Sequence, residues 1–288
     1  MKKFLTMFLL VLLLAGCGTV EESGPTVAAT TYPVAQFTEA VCAGTDIQVN
    51  RIITDSVSCL HDYSLTVNQA KTVERADVIV LSGAGLESFM ADVFADKECI
   101  DSSAGIALLE GDADHDGDSD AHGEGDPHIW LSPENAKAMV HNIADGLSQR
   151  YPDLADTFAA NAAAYAQKLD ALQQEGTEML QNLSCRELVT FHDGFAYFAE
   201  AFDLDILAAV EEESGAEASA ADLKQIVELV HEYNLPGVFT EVYGSNAAAG
   251  IIAAETGCKT AALDLGMGDC DYETAMRNNF AAIAEVLA

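Results

Sequence analysis

The chain has 288 residues, 50% of them hydrophobic, with 47 acidic against 13 basic side chains and a formal net charge of −34. That length and apolar content support one large or two medium domains with a proper core. The charge excludes nucleic acid as a partner, since phosphate binding needs a cationic face; it reads as a device for solubility, with a field that gathers cations as the alternative.

The chain opens with Lys2 and Lys3, an apolar run from Phe4 to Leu14, and small residues ahead of Cys17. A basic start, a short apolar stretch and a small-residue cut site describe an export signal. The run falls short of the ~20 residues that a bilayer span needs. Leu14-Ala15-Gly16-Cys17 resembles the lipobox of bacterial lipoproteins. The resemblance implies a signal peptide over 1–17, with Cys17 acylated as the new N-terminus. The protein is then held by lipid outside the cytoplasmic membrane, on the cell surface or in the periplasm. Residues 18–25, small, polar and acidic, read as a tether.

From residue 26 the pattern alternates. Strands are expected at 26–31, 47–53, 78–81 and 106–109, and helices at 34–41, 67–75 and 86–94. Residues 111–126, GDADHDGDSDAHGEGD, have no apolar side chain beyond Ala and read as a solvated loop holding His115 and His122. A helix follows Pro133 and stops near Pro152. Residues 154–183 are Ala- and Gln-rich without Pro, which predicts one helix of ~40 Å at 1.5 Å per residue. Alternation then resumes, with strands at 187–191, 206–210, 238–241 and 260–263 and helices at 195–202, 221–233, 247–256 and 272–287. Strand–helix alternation implies parallel sheets with crossover helices. The expected fold is therefore two α/β lobes, over 26–152 and 184–288, joined by a long linking helix over 153–183.

Besides Cys17 there are Cys42, Cys59, Cys99, Cys185, Cys258 and Cys270. An even count in an exported protein permits up to three disulfides. Cys42 with Cys99, at one pole, and Cys258 with Cys270, closing a short loop, are two candidate pairs among fifteen pairings, with free thiols as the alternative. No CxxC occurs, which argues against a cysteine-built zinc module.

Three of the seven histidines share a situation. His192 directly follows the strand LVTF, His61 comes within a short loop after the strand at 47–53, and His128 follows the acidic loop. Glu241 closes the strand VFT and Asp264 follows TAAL. Ligand sites in open parallel sheets form at the C-terminal strand ends, so all five can face one crevice. Three imidazoles with a carboxylate or water complete a tetrahedron around zinc, whereas calcium and magnesium prefer all-oxygen sites. A histidine at a strand end can equally be a hydrogen-bonded structural residue. His141 and His231, in mid-helix, read as surface or structural; Cys59 reads as a disulfide or buried thiol, and Glu211-Glu212-Glu213 as a solvated turn.

Leu60-His61-Asp62-Tyr63-Ser64-Leu65 resembles the first metal-ligand motif of the zinc and manganese solute-binding lipoproteins of ABC importers, the cluster A-I, ZnuA/TroA-like family. Asp126-Pro127-His128-Ile129-Trp130-Leu131-Ser132-Pro133 resembles the second motif, and Phe191-His192-Asp193-Gly194-Phe195 with Tyr197-Phe198 the third. Phe239-Thr240-Glu241 and Leu263-Asp264 are similar to the last two acidic positions, and the likeness runs from about residue 26 to the C-terminus. The resemblance implies a periplasmic-binding-protein-like fold of the metal-binding type, with a rigid bridging helix and the ion between the lobes. Carried over, it implies His61, His128 and His192 as ligands, Asp264 as the fourth and Glu241 as the alternative. Three departures stand out: Leu60 replaces the Glu many zinc members carry before the first His, Leu265 stands where Pro often follows the final Asp, and the loop before His128 holds only two His.

The expected function is capture of Zn²⁺ and its delivery to an ABC permease with its ATPase, by a monomer. Mn²⁺ or iron in the same importer class is the alternative. Histidine at position 192 favours zinc over manganese, which more often takes extra carboxylates. Imidazole must lose its proton to bind, so affinity is expected to fall as pH drops through ~6.5. Two other classes compete. A zinc hydrolase would use Glu241 as a base, but neither HExxH nor GxSxG occurs. A surface adhesin, a label family members have carried, implies a role in cell adhesion.

Overall fold

The computed structural model describes residues 24–56, 60, 63–110, 125–211, 218–268 and 270–288. Cys17, Cys59, His61, His115, His122 and most of the acidic loop, along with the expected signal peptide, lie outside the described residues.

The first lobe holds β1 (Thr26–Ala29), β2 (Gln48–Arg51), β3 (Val78–Leu81) and β4 (Cys99–Asp101), all parallel, in the order β2-β1-β3-β4. Its crossovers carry α1 (Tyr32–Cys42), α2 (Val67–Arg75) and the short α3 (Ala91–Phe94). The second lobe holds β5 (Glu187–His192), β6 (Asp205–Glu211), β7 (Gly237–Glu241) and β8 (Lys259–Leu263), parallel in the order β6-β5-β7-β8. Helices α6 (Ala196–Ala201), α7 (Ala220–Tyr233) and α8 (Ala247–Thr256) connect these strands. The two sheets thus repeat one strand order. In each, the chain reverses direction of winding beside the first strand, and this switch point opens a crevice at the C-terminal strand ends.

Helix α4 (Pro133–Arg150) begins with Ser132 as N-cap, its hydroxyl accepting the Asn135 N–H, and with Pro133 at the first helical position, where a missing N–H costs nothing. A 3-10 turn at Pro152–Leu154 separates it from the bridging helix α5 (Ala155–Leu180). Ala-rich sequence favours the helix intrinsically. Its buried stripe of Phe158, Ala162, Tyr165, Ala166, Leu169, Leu172, Gly176 and Leu180 keeps three- and four-residue spacing, which puts one face against both lobes. That face packs on α1, α4 and the closing helix α9 (Tyr272–Leu287). Gly176 is required there: a Cβ would lie 2.5 Å from Phe202 and 2.6 Å from Phe280, whose rings meet edge to face and tilt against Phe198. One apolar core runs through α5 from Val27 and Ile79 in the first lobe to Leu263 and Phe280 in the second. A satellite core around Val189, Ile226 and Ile252 fills the outer side of the second sheet.

Several expectations are corrected. Residues 106–109 form no strand; Leu108 is 41% exposed while Ile106 and Leu109 rest half-buried on the core, and the fourth strand is the three-residue β4 instead. Residues 86–94 form a 3-10 turn at Ser88–Met90 followed by a single helical turn. Neither expected disulfide forms: Cys42, Cys99, Cys185, Cys258 and Cys270 are free. The helix end at Cys42 feeds β2 at one edge of the sheet, while Cys99 opens β4 at the other, with β1 and β3 between. Cys258 precedes β8 and Cys270 lies beyond its far end, so a strand of ~16 Å keeps them apart, and bridged cysteines need Cα atoms within about 7 Å. Glu211 ends β6, paired with His192, and is not in a turn. His141 and His231 are exposed on α4 and α7 as expected.

Candidate metal centre

The second lobe delivers three candidate donors from adjacent strand ends. His192 is the last residue of β5 and Glu241 the last of β7, while Asp264 directly follows β8. The first lobe supplies His128, which opens the 3-10 turn Ile129–Leu131 ahead of α4. All four are buried, His128 at 6% and His192 at 3% exposure.

The two histidines meet across the crevice. Their ring centroids are 5.1 Å apart, edge to face. His128 is aimed by Asp126, whose Oδ1 accepts from the His128 backbone N–H and lies 2.8 Å from its Nδ1. This carboxylate fixes the tautomer with Nε2 bare, as second-shell carboxylates do for metal-ligating histidines. Gly194 closes the other side: a Cβ there would sit 2.9 Å from His128 Cδ2 and 3.0 Å from its Nε2, so only glycine lets this turn approach the ring. His192 Nδ1 lies 2.8 Å from the Gly194 N–H and 3.0 Å from Asp193 Oδ1. With its proton off, Nδ1 accepts from Gly194. With its proton on, it donates to Asp193, and that tautomer bares Nε2 toward Glu241 Oε1 at 3.8 Å.

The two carboxylates differ. Among the described residues, Glu241 Oε1 is buried with no hydrogen-bond partner, an expensive condition that a cation in contact would relieve. Asp264 is held on every side. Its Oδ1 accepts from Gly266 N–H at 2.8 Å, and its Oδ2 accepts from the Cys270 thiol at 3.3 Å. Burial, and then the charge of Asp264, push the Cys270 thiol up to about 11. Among the described residues, no three His, Cys, Asp or Glu side chains gather closely enough to hold an ion by themselves. The expected third histidine, His61, lies outside the described residues.

Hydrogen bonds tie the lobes around this crevice. Trp130 Nε1 donates to the Leu265 carbonyl at 2.7 Å, and Tyr272 OH donates to the Trp130 carbonyl at 2.7 Å. The Tyr272 N–H donates to Gln36 Oε1. Tyr197 OH accepts from Leu109 N–H and donates to the Asp126 carbonyl, each at 2.9 Å, so both ends of the acidic loop rest on a residue of the second lobe. Sequence reasoning did not assign roles to Asp126, Gly194, Tyr197 or Trp130, although all fall inside the quoted motifs. An Asp two residues before a His is a local signal for an aimed imidazole; the others depend on tertiary contacts.

Residues 27–286 match the family model described as ZnuA, zinc-uptake complex component A, periplasmic. The chain is 31% identical over 290 residues to the zinc-binding lipoprotein AdcA of Streptococcus pneumoniae, covering 96% of this chain and 57% of that protein, so it spans little more than half that relative's length. It is 29% identical over 320 residues to the high-affinity zinc uptake system protein ZnuA of Bacillus subtilis, covering 99% of this chain and 98% of that one. A solved structure described as a crystal structure of ZnuA superposes with a TM-score of 0.81 at 30% identity, covering 92% of this chain and 99% of that chain.

Proposed function

The chain belongs to the ZnuA family of zinc-uptake components, and from that premise we propose that it captures zinc in the crevice between its lobes and hands it to the permease of an ABC importer driven by a cytosolic ATPase. The observation that carries the reading is the His128–His192 pair. With Zn–N bonds of ~2.0–2.1 Å, two imidazoles on one tetrahedral zinc have centroids roughly 5 Å apart, and the pair stands at 5.1 Å. The ion completes its shell with His61 and one carboxylate, Asp264, with Glu241 as the alternative. The preset Asp264 oxygens support the first choice, and the buried Glu241 Oε1, 3.8 Å from His192 Nε2, supports the second. Zinc is favoured over manganese by the imidazole-rich donor set.

The protein acts as a carrier and not as a catalyst. It works as a monomer outside the cytoplasmic membrane, with lipid on Cys17 holding it near the permease. The lobes are lashed by Trp130, Tyr197 and Tyr272, so release proceeds by movement of the ligand loops and not by wide opening. Native mass spectrometry with elemental analysis tests the reading. The processed protein is expected to carry one zinc, and His61→Ala, His128→Ala and His192→Ala each to lose it. Stoichiometric zinc at unchanged affinity in the last two variants would overturn the reading.

A further inference from the structure

We infer that Asn279, on the closing helix, is a positioning residue that sets the carboxylate of Asp264 for the ion; the inference rests on the reading of Asp264 as a ligand. Asn279 is fully buried, a placement that is unfavourable for an amide unless its groups are paired. Both are spent on one residue. Its Oδ1 accepts the Asp264 backbone N–H at 2.7 Å, and its Nδ2 donates to the Asp264 carbonyl at 2.8 Å. The side-chain amide thereby acts as one more rung of a sheet. It extends the pairing of β8 beyond its last residue, Leu263, to the position where the chain would otherwise turn into a loop.

Clamping N–H and C=O together fixes the peptide planes on both sides of the Asp264 Cα, and so the direction of its Cβ. The remaining freedom of the side chain is removed by Gly266 N–H on Oδ1 and the Cys270 thiol on Oδ2. Asn279 is anchored in turn. Its neighbour Phe280 lies against Gly176 of the bridging helix. Asp264 is therefore placed in the frame of α9 and α5. A fixed carboxylate loses little freedom on binding an ion, and site residues must hold within about 0.5 Å of their productive geometry. Loss of an outer-shell partner typically costs 10–100-fold in metal affinity.

A double-mutant cycle in the full chain tests this, with zinc affinity read by competition against a chromophoric chelator and apo-protein stability read by thermal unfolding. Asn279→Leu removes both hydrogen bonds while keeping the branching of the side chain; Asn279→Asp, which keeps the acceptor, is used if the first does not fold. Ile283→Val on the same helix is the control for lost packing. The expected result is that Asn279→Leu weakens zinc binding about 10–100-fold, that Ile283→Val stays within about twofold, and that the effect of Asn279→Leu vanishes in an Asp264→Ala background. A merely structural asparagine would lower stability while leaving affinity unchanged, or weaken affinity equally in both backgrounds; either outcome overturns the inference. If Asp264→Ala itself leaves affinity unchanged, the ligand assignment of Asp264 falls first, and the inference with it.

Discussion

Gly194→Ala gives a sharp trial of the site because the displacement can be read from the structure. The added Cβ would lie 2.9 Å from His128 Cδ2 and 3.0 Å from both Cγ and Nε2. Non-bonded carbons rest about 3.5–4.0 Å apart, so the ring or the turn must give by roughly 0.5–1 Å. The ring has little room, since Asp126 holds its Nδ1 and Trp130 flanks it at 5.4 Å between centroids. The turn is no freer, because the Gly194 N–H is bonded to His192 Nδ1. A shift of that size exceeds the ~0.5 Å that a binding constellation tolerates. Zinc affinity should therefore drop by about 10–100-fold, the range seen when a ligand's support is disturbed. Overpacking of a dense interior adds about 1–3 kcal/mol of destabilisation. Chelator competition measures the first effect and urea unfolding of the apo-protein the second. Gly194→Ala protein that binds zinc as tightly as wild type would show that the contact does not position His128, and the account of this site would be wrong.

Trp130→Phe keeps most of the ring packing but leaves the buried Leu265 carbonyl without its donor; a loss of about 1–3 kcal/mol is expected in urea unfolding followed by circular dichroism. Glu87 is buried beneath the ends of β1 and β3, accepting from Thr30 Oγ1, Ser82 N–H and Gly83 N–H, and burial raises its pKa above the usual carboxylate value. A carboxyl raised on folding holds its proton longer in the native state, so its contribution to stability is largest below the ordinary Glu range and falls as pH rises toward the raised value. The stability of wild type relative to Glu87→Gln should accordingly shrink between pH 4.5 and pH 7.5; a difference that grows with pH would contradict this. Exposed Cys99 should be alkylated in the native protein, while Cys42, buried and pushed up to about 12, should react only on unfolding; peptide mapping that found either residue in a disulfide would refute the free-thiol assignment.

Much of this architecture was legible in advance because the strands and helices have distinct periods. Val78–Leu81 is a continuous apolar run of strand length, and residues 154–183 have helical spacing with no breaker. The sequence misleads where local signals are weak. β4 is three residues long, with exposed ends and only Ile100 inside, whereas Ile106–Leu109 is apolar in sequence yet forms a half-exposed connection. A short edge strand and an apolar surface segment look alike without tertiary contacts. At the site, His128 and His192 stand out through their motifs, and their rings lie edge to face in the structure. The groups that hold them were hidden for a physical reason. Asn279 reaches Asp264 from 15 residues away, and Tyr197 reaches Asp126 across 71, distances over which no sequence period survives. An even cysteine count leaves pairing open, because it says nothing about which ends of a strand the thiols occupy.

The apolar core that passes from lobe to lobe along α5 has a thermodynamic corollary. Two lobes with separate interiors would melt independently, whereas a shared interior couples them into one cooperative unit. Each half, severed near residue 183, would present a raw greasy flank to water and clump before it could find its partner. A scanning calorimeter should therefore record a single endotherm for the intact polypeptide, with the van't Hoff enthalpy equal to the calorimetric one.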